Sequence, residues 1–382
     1  MKLLQKVFFY ALLWGLVGAV SLVCLEVSLR LIDRVDSSLL PGVRFQYEEG
    51  FGPRNRANIA DHDGRGYRNA GAVEQACAVV LGDSQNYGTG VRADAPWPAQ
   101  LSAMTGQEIY SMSTPGWGVW HQLQVIDQAL ALQPSVVFTS FYSGNDLHDA
   151  SVQFPDQALA NSNSVGRGSA GGLKAWIKGT ESWSRVSQLV FELYRYSPLA
   201  GIDKISRPQP LSCESGDAVP LRGMREVCLN NAQVQDVLQI SWRLAVMNDL
   251  QVSSNTMASD FVLGNLIKLH KRIRKNDSSN VVLLIPVKES VYAAAFPEET
   301  ERFTGLVELV QREEDLFSKI RTYLTAQNID FIDVKKILAD ALRTEGVENI
   351  YLFADGHLSA QGHQILANAL QEKVHPQFCP QN

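Results

Sequence analysis

Cys77-Ala-Val-Val-Leu81-Gly82-Asp83-Ser84-Gln85 decides how the chain is read. A β-branched apolar run stops abruptly at Gly-Asp-Ser. Gly88 and Gly90 follow, then Pro96-Trp-Pro98. The pattern predicts a strand, a turn and a helix, with the Ser84 hydroxyl lifted off the carboxyl edge of a sheet. Open α/β sheets place ligands and chemistry at that edge. Gly-Asp-Ser alone proves little, because a serine in a turn is common. Ser84 needs partners from elsewhere in the chain.

Outward from this stretch, apolar runs alternate with helical periodicity. Strands are predicted at Cys77–Leu81, Glu108–Met112, Val136–Tyr142, Asn280–Pro286 and Ile329–Asp333. Helices are predicted near Trp97–Met104, Val119–Leu132, Ala258–Lys275, Glu301–Gln327, Val334–Arg343 and from Gly362 to Lys373. This alternation predicts an α/β fold, a three-layer α/β/α sandwich around a five-stranded parallel sheet. The pattern lapses between 150 and 253. Asn161–Gly172 is rich in Ser, Gly and Asn. Lys174–Tyr196 and Val234–Leu250 have helical spacing, so 150–253 is read as a mostly helical insertion, a lid or a partner surface. The sheet domain then comprises 75–149 and 254–376, preceded by a lead-in at 33–74.

The 382 residues carry a formal charge of −6, and no basic stripe occurs, which argues against nucleic acid as a partner. Val7–Leu25 is uncharged and approaches the length that crosses a bilayer. Lys2 and Lys6 precede it, so 1–32 is expected to be a single-pass inner-membrane anchor with its N-terminus cytoplasmic and the remainder periplasmic or extracellular. A cleaved signal peptide is the rival reading. Of the five cysteines, Cys24 lies in this segment. Cys213 and Cys228 bracket a short polar loop and are the expected disulfide, with Cys77–Cys379 also open. No Cys-x-x-Cys or clustered His pattern predicts a metal.

A serine hydroxyl becomes a nucleophile when a base takes its proton, and that base is commonly oriented by a carboxylate. The oxyanion that forms needs preorganised donors, each contributing on the order of 3 kcal/mol. Four strand ends supply these groups. They are Gly82-Asp83-Ser84, Pro115-Gly116, Gly144-Asn145-Asp146 and Asp355-Gly-His357.

In these four blocks the chain resembles the SGNH (GDSL-like) hydrolases, whose fold is flavodoxin-like. The resemblance implies Ser84 as nucleophile, His357 as base and Asp355 as its orienting carboxylate. The oxyanion hole would be the Ser84 and Gly116 N–H groups with the Asn145 amide. Gln85 departs from the leucine usual in the family. Asp355-x-His357 is one residue shorter than the common final block and is similar to that of the alginate O-acetyltransferase-like branch, as is Pro286-Val-Lys288 with Tyr292.

Rival roles stay open for several of these residues. Gly118 competes with Gly116 as donor. Asn145 or Asp146 could cap the next helix. Lys288 is either a solvated charge or, with Tyr292, a substrate contact. Trp117 and Trp120 either stack on a sugar or pack in the core. His121 and His148 line the pocket or lie on the surface, and His363 is read as packed. The functional expectation is a membrane-anchored esterase, needing no cofactor, that removes O-acyl groups, acetyl above all, from a carbohydrate. The alternatives are an O-acetyltransferase acting on an envelope or secreted polysaccharide, and a non-catalytic scaffold among polysaccharide-assembly proteins.

Overall fold

A computed structural model of the protein describes residues 2–35, 44–48, 50–153, 219–221, 224–230, 234–241, 246–344, 350–352 and 355–371. The chain divides into two units, one of 1–66 with 165–206, the other of 67–164 with 207–382. The reading of Lys174–Tyr196 as helical, Cys213 and Cys379 lie outside the described residues.

In the first unit, helix α1 spans Lys2–Val35. Among the described residues, no helix is long and apolar enough to cross a membrane. Strands β1 (Phe45–Glu48) and β2 (Gly52–Asn55) form an antiparallel hairpin. Gly50 and Gly52 make its turn at φ of 77° and 107°, values that favour glycine.

The second unit is built on β3 (Ala78–Gly82), followed by α2 (Ser84–Tyr87), α3 (Trp97–Thr105), β4 (Ile109–Ser113), α4 (Val119–Leu130), β5 (Val136–Tyr142) and α5 (Asp146–Gln153). Every residue of β3 is buried. A parallel strand covered on both faces reads as a continuous apolar run, which is why Ala-Val-Val-Leu needed no alternation to signal a strand. β6 (Val219–Leu221), β7 (Met224–Asn230) and β8 (Gln235–Ser241) come next. They are followed by α6 (Ser253–Arg274), β9 (Ser279–Ile285), α7 (Lys288–Ala295), α8 (Pro297–Thr300), α9 (Thr304–Ala326), β10 (Asp330–Asp333), α10 (Val334–Thr344) and α11 (Ala360–Leu370).

The main sheet has five parallel strands in the order β10-β9-β5-β3-β4. The chain thus leaves β3 toward β4 on one side and returns to β5 on the other. The carboxyl end of β3 is the switch point of the sheet, where the crevice opens and Ser84 lies. Trp97 packs edge-on against Phe138 at 5.5 Å and anchors α3 to the sheet.

The insertion departs from the reading as mostly helical. Its described residues form a three-stranded antiparallel sheet, β6-β7-β8. Residues 235–241, expected within a helix, are strand β8, and Cys228, expected at the end of a loop, lies in β7 opposite Val237. The cause is burial on both faces. Asp236, Val237 and Leu238 are consecutive and all buried, so β8 shows no period of two. Val227, Leu229 and Leu238 join the same apolar core as Val281 and Val291.

Candidate active site

Ser84 opens α2, a single turn whose placement is set by its neighbours. Asp83 caps it, its carboxylate accepting the Gln85 N–H at 3.0 Å. Gly88 ends it at φ 75°, its N–H donating to the Ser84 carbonyl. Asn86 donates to Ser140 Oγ at 2.7 Å and accepts the Trp97 indole N–H at 2.9 Å. Gly82 is required by this packing, since a Cβ there would stand 1.8 Å from Asn86 Nδ2.

The partner residues arrive from the far end of the sequence. The Ser84 hydroxyl donates to His357 Nε2 at 3.0 Å, and His357 Nδ1–H donates to Asp355 Oδ1 at 2.6 Å. The same Asp355 oxygen accepts the His357 backbone N–H at 2.8 Å. One intervening glycine therefore suffices, because the chain bends at 355–357 and the Asp355 carboxylate closes a turn onto the His357 N–H and ring. Bonding to His357, first of all the side-chain bond, holds the Asp355 carboxyl below its usual range despite partial burial. Gln85 supplies a further link, its Nε2 donating to the Gly356 carbonyl at 2.9 Å. The position at which this chain departs from the SGNH pattern thus ties the nucleophile turn to the loop that carries the base.

The oxyanion donors separate as follows. The Gly118 N–H is committed to His121 Nδ1 at 3.0 Å, while Gly116, at φ 83°, stays the candidate glycine. One N–H of the Asn145 amide donates to Asp149 Oδ2 at 2.8 Å, leaving the second for a ligand. Asp146 accepts the Tyr142 N–H at 3.0 Å. Gly144 cannot be larger, because a Cβ would meet the Tyr142 ring at 2.3 Å.

Asp83 and Asp146 are two buried, neighbouring carboxyls. Burial pushes Asp83 from 3.8 up to about 6, opposed by the Gln85 N–H and the charge of His357. Burial, and then the neighbouring Asp83, push Asp146 well above the usual carboxylate range. His363 is buried and held down at about 3, first by burial and then by Arg68 and His357. Neutral, it accepts the Trp97 backbone N–H at 3.3 Å, so it is packed rather than catalytic.

Other candidates stand apart from this chain of bonds. Lys288 is 1% exposed, with Nζ 3.1 Å from Asp236 Oδ1, and the Tyr292 hydroxyl donates to Asp236 Oδ2 at 3.1 Å. Neither is a solvated charge or an open substrate contact, because β8 covers them. Trp117 is buried, stacked on His121 and edge-on to Tyr67, which fits core packing, one of its two open roles, rather than a sugar platform. Trp120 is half-buried, edge-on to His121. His121 is fully buried rather than on the surface. Cys77 is disulfide-bonded. Among the described residues, no cluster of His, Cys, Asp or Glu fits a metal ion. Sequence reading missed Gln85 and Asp236, whose bonds run to groups far along the chain.

No protein-family model and no curated protein matches the sequence. Solved structures with a similar course do exist. A GDSL-like lipase from Bacteroides thetaiotaomicron is 12% identical, over 78% of this chain and 86% of that one, with a TM-score of 0.35. An acetyl-xylooligosaccharide esterase variant from Geobacillus is 11% identical over 80% and 96%, with a TM-score of 0.37. An acetyl xylan esterase is 14% identical over 78% and 99%, with a TM-score of 0.36. A likeness at this identity and TM-score decides neither fold nor activity. Both rest on the chain's own geometry.

Proposed function

We propose that the protein is a serine esterase of the SGNH type, held outside the cytoplasm by α1, that removes O-acetyl groups from a carbohydrate. The observation that carries this reading is the continuous Ser84–His357–Asp355 hydrogen-bond chain at the switch point of the sheet. Ser84 Oγ attacks the ester carbonyl while His357 Nε2 takes its proton. The tetrahedral oxyanion is met by the Ser84 and Gly116 N–H groups and the free Asn145 N–H. Collapse expels the alcohol, which takes the proton from His357 and leaves an acyl-Ser84 ester. Water, deprotonated by His357, then releases the acid and restores Ser84. Asp355 holds the tautomer that makes Nε2 the acceptor and stabilises the imidazolium.

An extracytoplasmic placement is supported by the uncharged run in α1, where Trp14 is 71% and Val23 63% exposed. A disulfide at Cys77 fits an oxidising compartment. The carbohydrate ester follows from that placement, as envelope and secreted glycans are where O-acetyl groups meet such a domain. A serine-reactive fluorophosphonate should label the wild-type chain and leave Ser84→Ala unlabelled. Equal labelling of both would remove Ser84 as the nucleophile.

The Asp355-x-His357 block favours one second reading, transfer of the acyl group to a sugar hydroxyl. Product analysis with a polysaccharide acceptor separates the two, since acetylated glycan marks transfer and free acetate alone marks hydrolysis. The scaffold reading has less support, because an aligned Ser, His and Asp serve no purpose in a scaffold.

A further inference from the structure

Gly66-Tyr67-Arg68-Asn69 closes the lead-in and lies outside all four blocks. Arg68 is buried, and its guanidinium spans three main-chain carbonyls. Nη1 donates to Tyr87 O at 3.2 Å and Gly88 O at 2.7 Å, and Nη2 donates to Val91 O at 2.8 Å. Its Cζ sits 5.0 Å from the centre of the Tyr87 ring. These carbonyls belong to the C-terminal end of α2 and the turn after it.

A one-turn helix has no stability of its own, and its last carbonyls have no partners within it. The guanidinium supplies those partners and places a cation at the negative end of the turn. Arg68 is itself held in register by Asn69. The Asn69 amide donates to Ser111 O at 3.0 Å and accepts the Ser111 N–H at 2.9 Å, pinning the segment to β4. The far end of the turn so clamped is Ser84.

We propose that Arg68 is a positioning residue for Ser84, fixing the rear of the nucleophile turn so that the hydroxyl stays within reach of His357. The proposal rests on the esterase reading for its kinetic consequence and not for its structural one. A misplacement of about 1 Å in a reacting group costs about 100-fold in rate. In the full chain, Arg68→Ala should therefore lower kcat for p-nitrophenyl acetate by about 100-fold, with KM changed less than about 3-fold. Added guanidinium ion should restore part of the loss in Arg68→Ala and none in Ser84→Ala. Arg68→Lys should fall between, because an ammonium is a point donor without the planar fork.

Hydrogen–deuterium exchange read by mass spectrometry should show faster exchange confined to 84–91. Uniform acceleration across the domain, a loss confined to KM, or unchanged exchange at 84–91 would each overturn the proposal. If Arg68→Ala fails to fold, Arg68→Lys carries the same measurements. Absent turnover in the wild type defeats the esterase reading, and the clamp then stands or falls on exchange at 84–91 alone.

Discussion

Asp83 lies next to the nucleophile and carries an electrostatic cost. Burial raises its carboxyl from 3.8 to about 6, so the folded protein holds this proton more tightly than the unfolded chain. Its contribution to stability is therefore largest below about pH 4 and is lost as pH rises through about 6. Asp83→Asn keeps an oxygen for the Gln85 N–H and removes the titration. Relative to wild type, the variant should gain on the order of 2 to 3 kcal/mol between pH 4 and pH 8. Urea denaturation of both proteins at the two pH values gives the double difference. His363, held down at about 3, pulls the other way, losing its contribution as pH falls from 6.5 toward 3. That slope is common to both proteins and cancels. An unchanged pH difference would show that Asp83 does not titrate in this range.

At the same scale, the legible residues were those whose partners are chemically obligatory. Ser84, Asp355 and His357 could be named because a serine nucleophile requires a base and the base a carboxylate. Gln85 and Arg68 could not be given roles. Both spend their donors on main-chain carbonyls, and every residue offers one of those.

At the scale of elements, β8 and α7 form one buried joint. Lys288 faces Asp236 inside it, and Tyr292 shares the same carboxylate. Removing one partner of a buried pair leaves an uncompensated charge. Lys288→Met should cost about 3 to 5 kcal/mol, whereas Lys288→Met with Asp236→Leu should recover most of that loss. Thermal denaturation of the four proteins in the cycle measures the coupling. A raised KM at intact stability in Lys288→Met would instead return Lys288 to the substrate site.

This joint was illegible for a physical reason. In α7, Lys288, Glu289 and Ser290 are all buried, so a polar stretch that reads as surface is interior. Its cover, β8, lacks alternation because both its faces are buried. By contrast β3, β5 and β9 each carry an apolar run and were placed nearly to the residue. The parallel order of the sheet followed from their alternation with helices.

At the scale of the whole molecule, Cys77 is bridged at the entrance to β3. If Cys213 and Cys228 pair, as the sequence reading expects, Cys379 is the partner left for Cys77. Non-reducing peptide mapping should link 77 to 379 and 213 to 228. Cys77→Ser should leave one free thiol at 379 and lower the thermal midpoint, since the bridge would close a loop of nearly the whole domain. A link from Cys77 to 213 or 228 would break this pattern.

The bond from the Gln85 amide to the Gly356 carbonyl joins positions 271 apart in sequence. The hydroxyl is thus made early in synthesis and the imidazole late. Everything between them, four of the five parallel strands included, is made before they meet. Contacts of such long range form late in folding. A chain still being synthesised or threaded through a membrane pore, with residue 357 not yet emerged, has a correctly sequenced nucleophile and no base. It is chemically silent. The order of residues along the chain thus acts as a timer, and the bond from Ser84 to His357 can form only after nearly the whole described chain has been made.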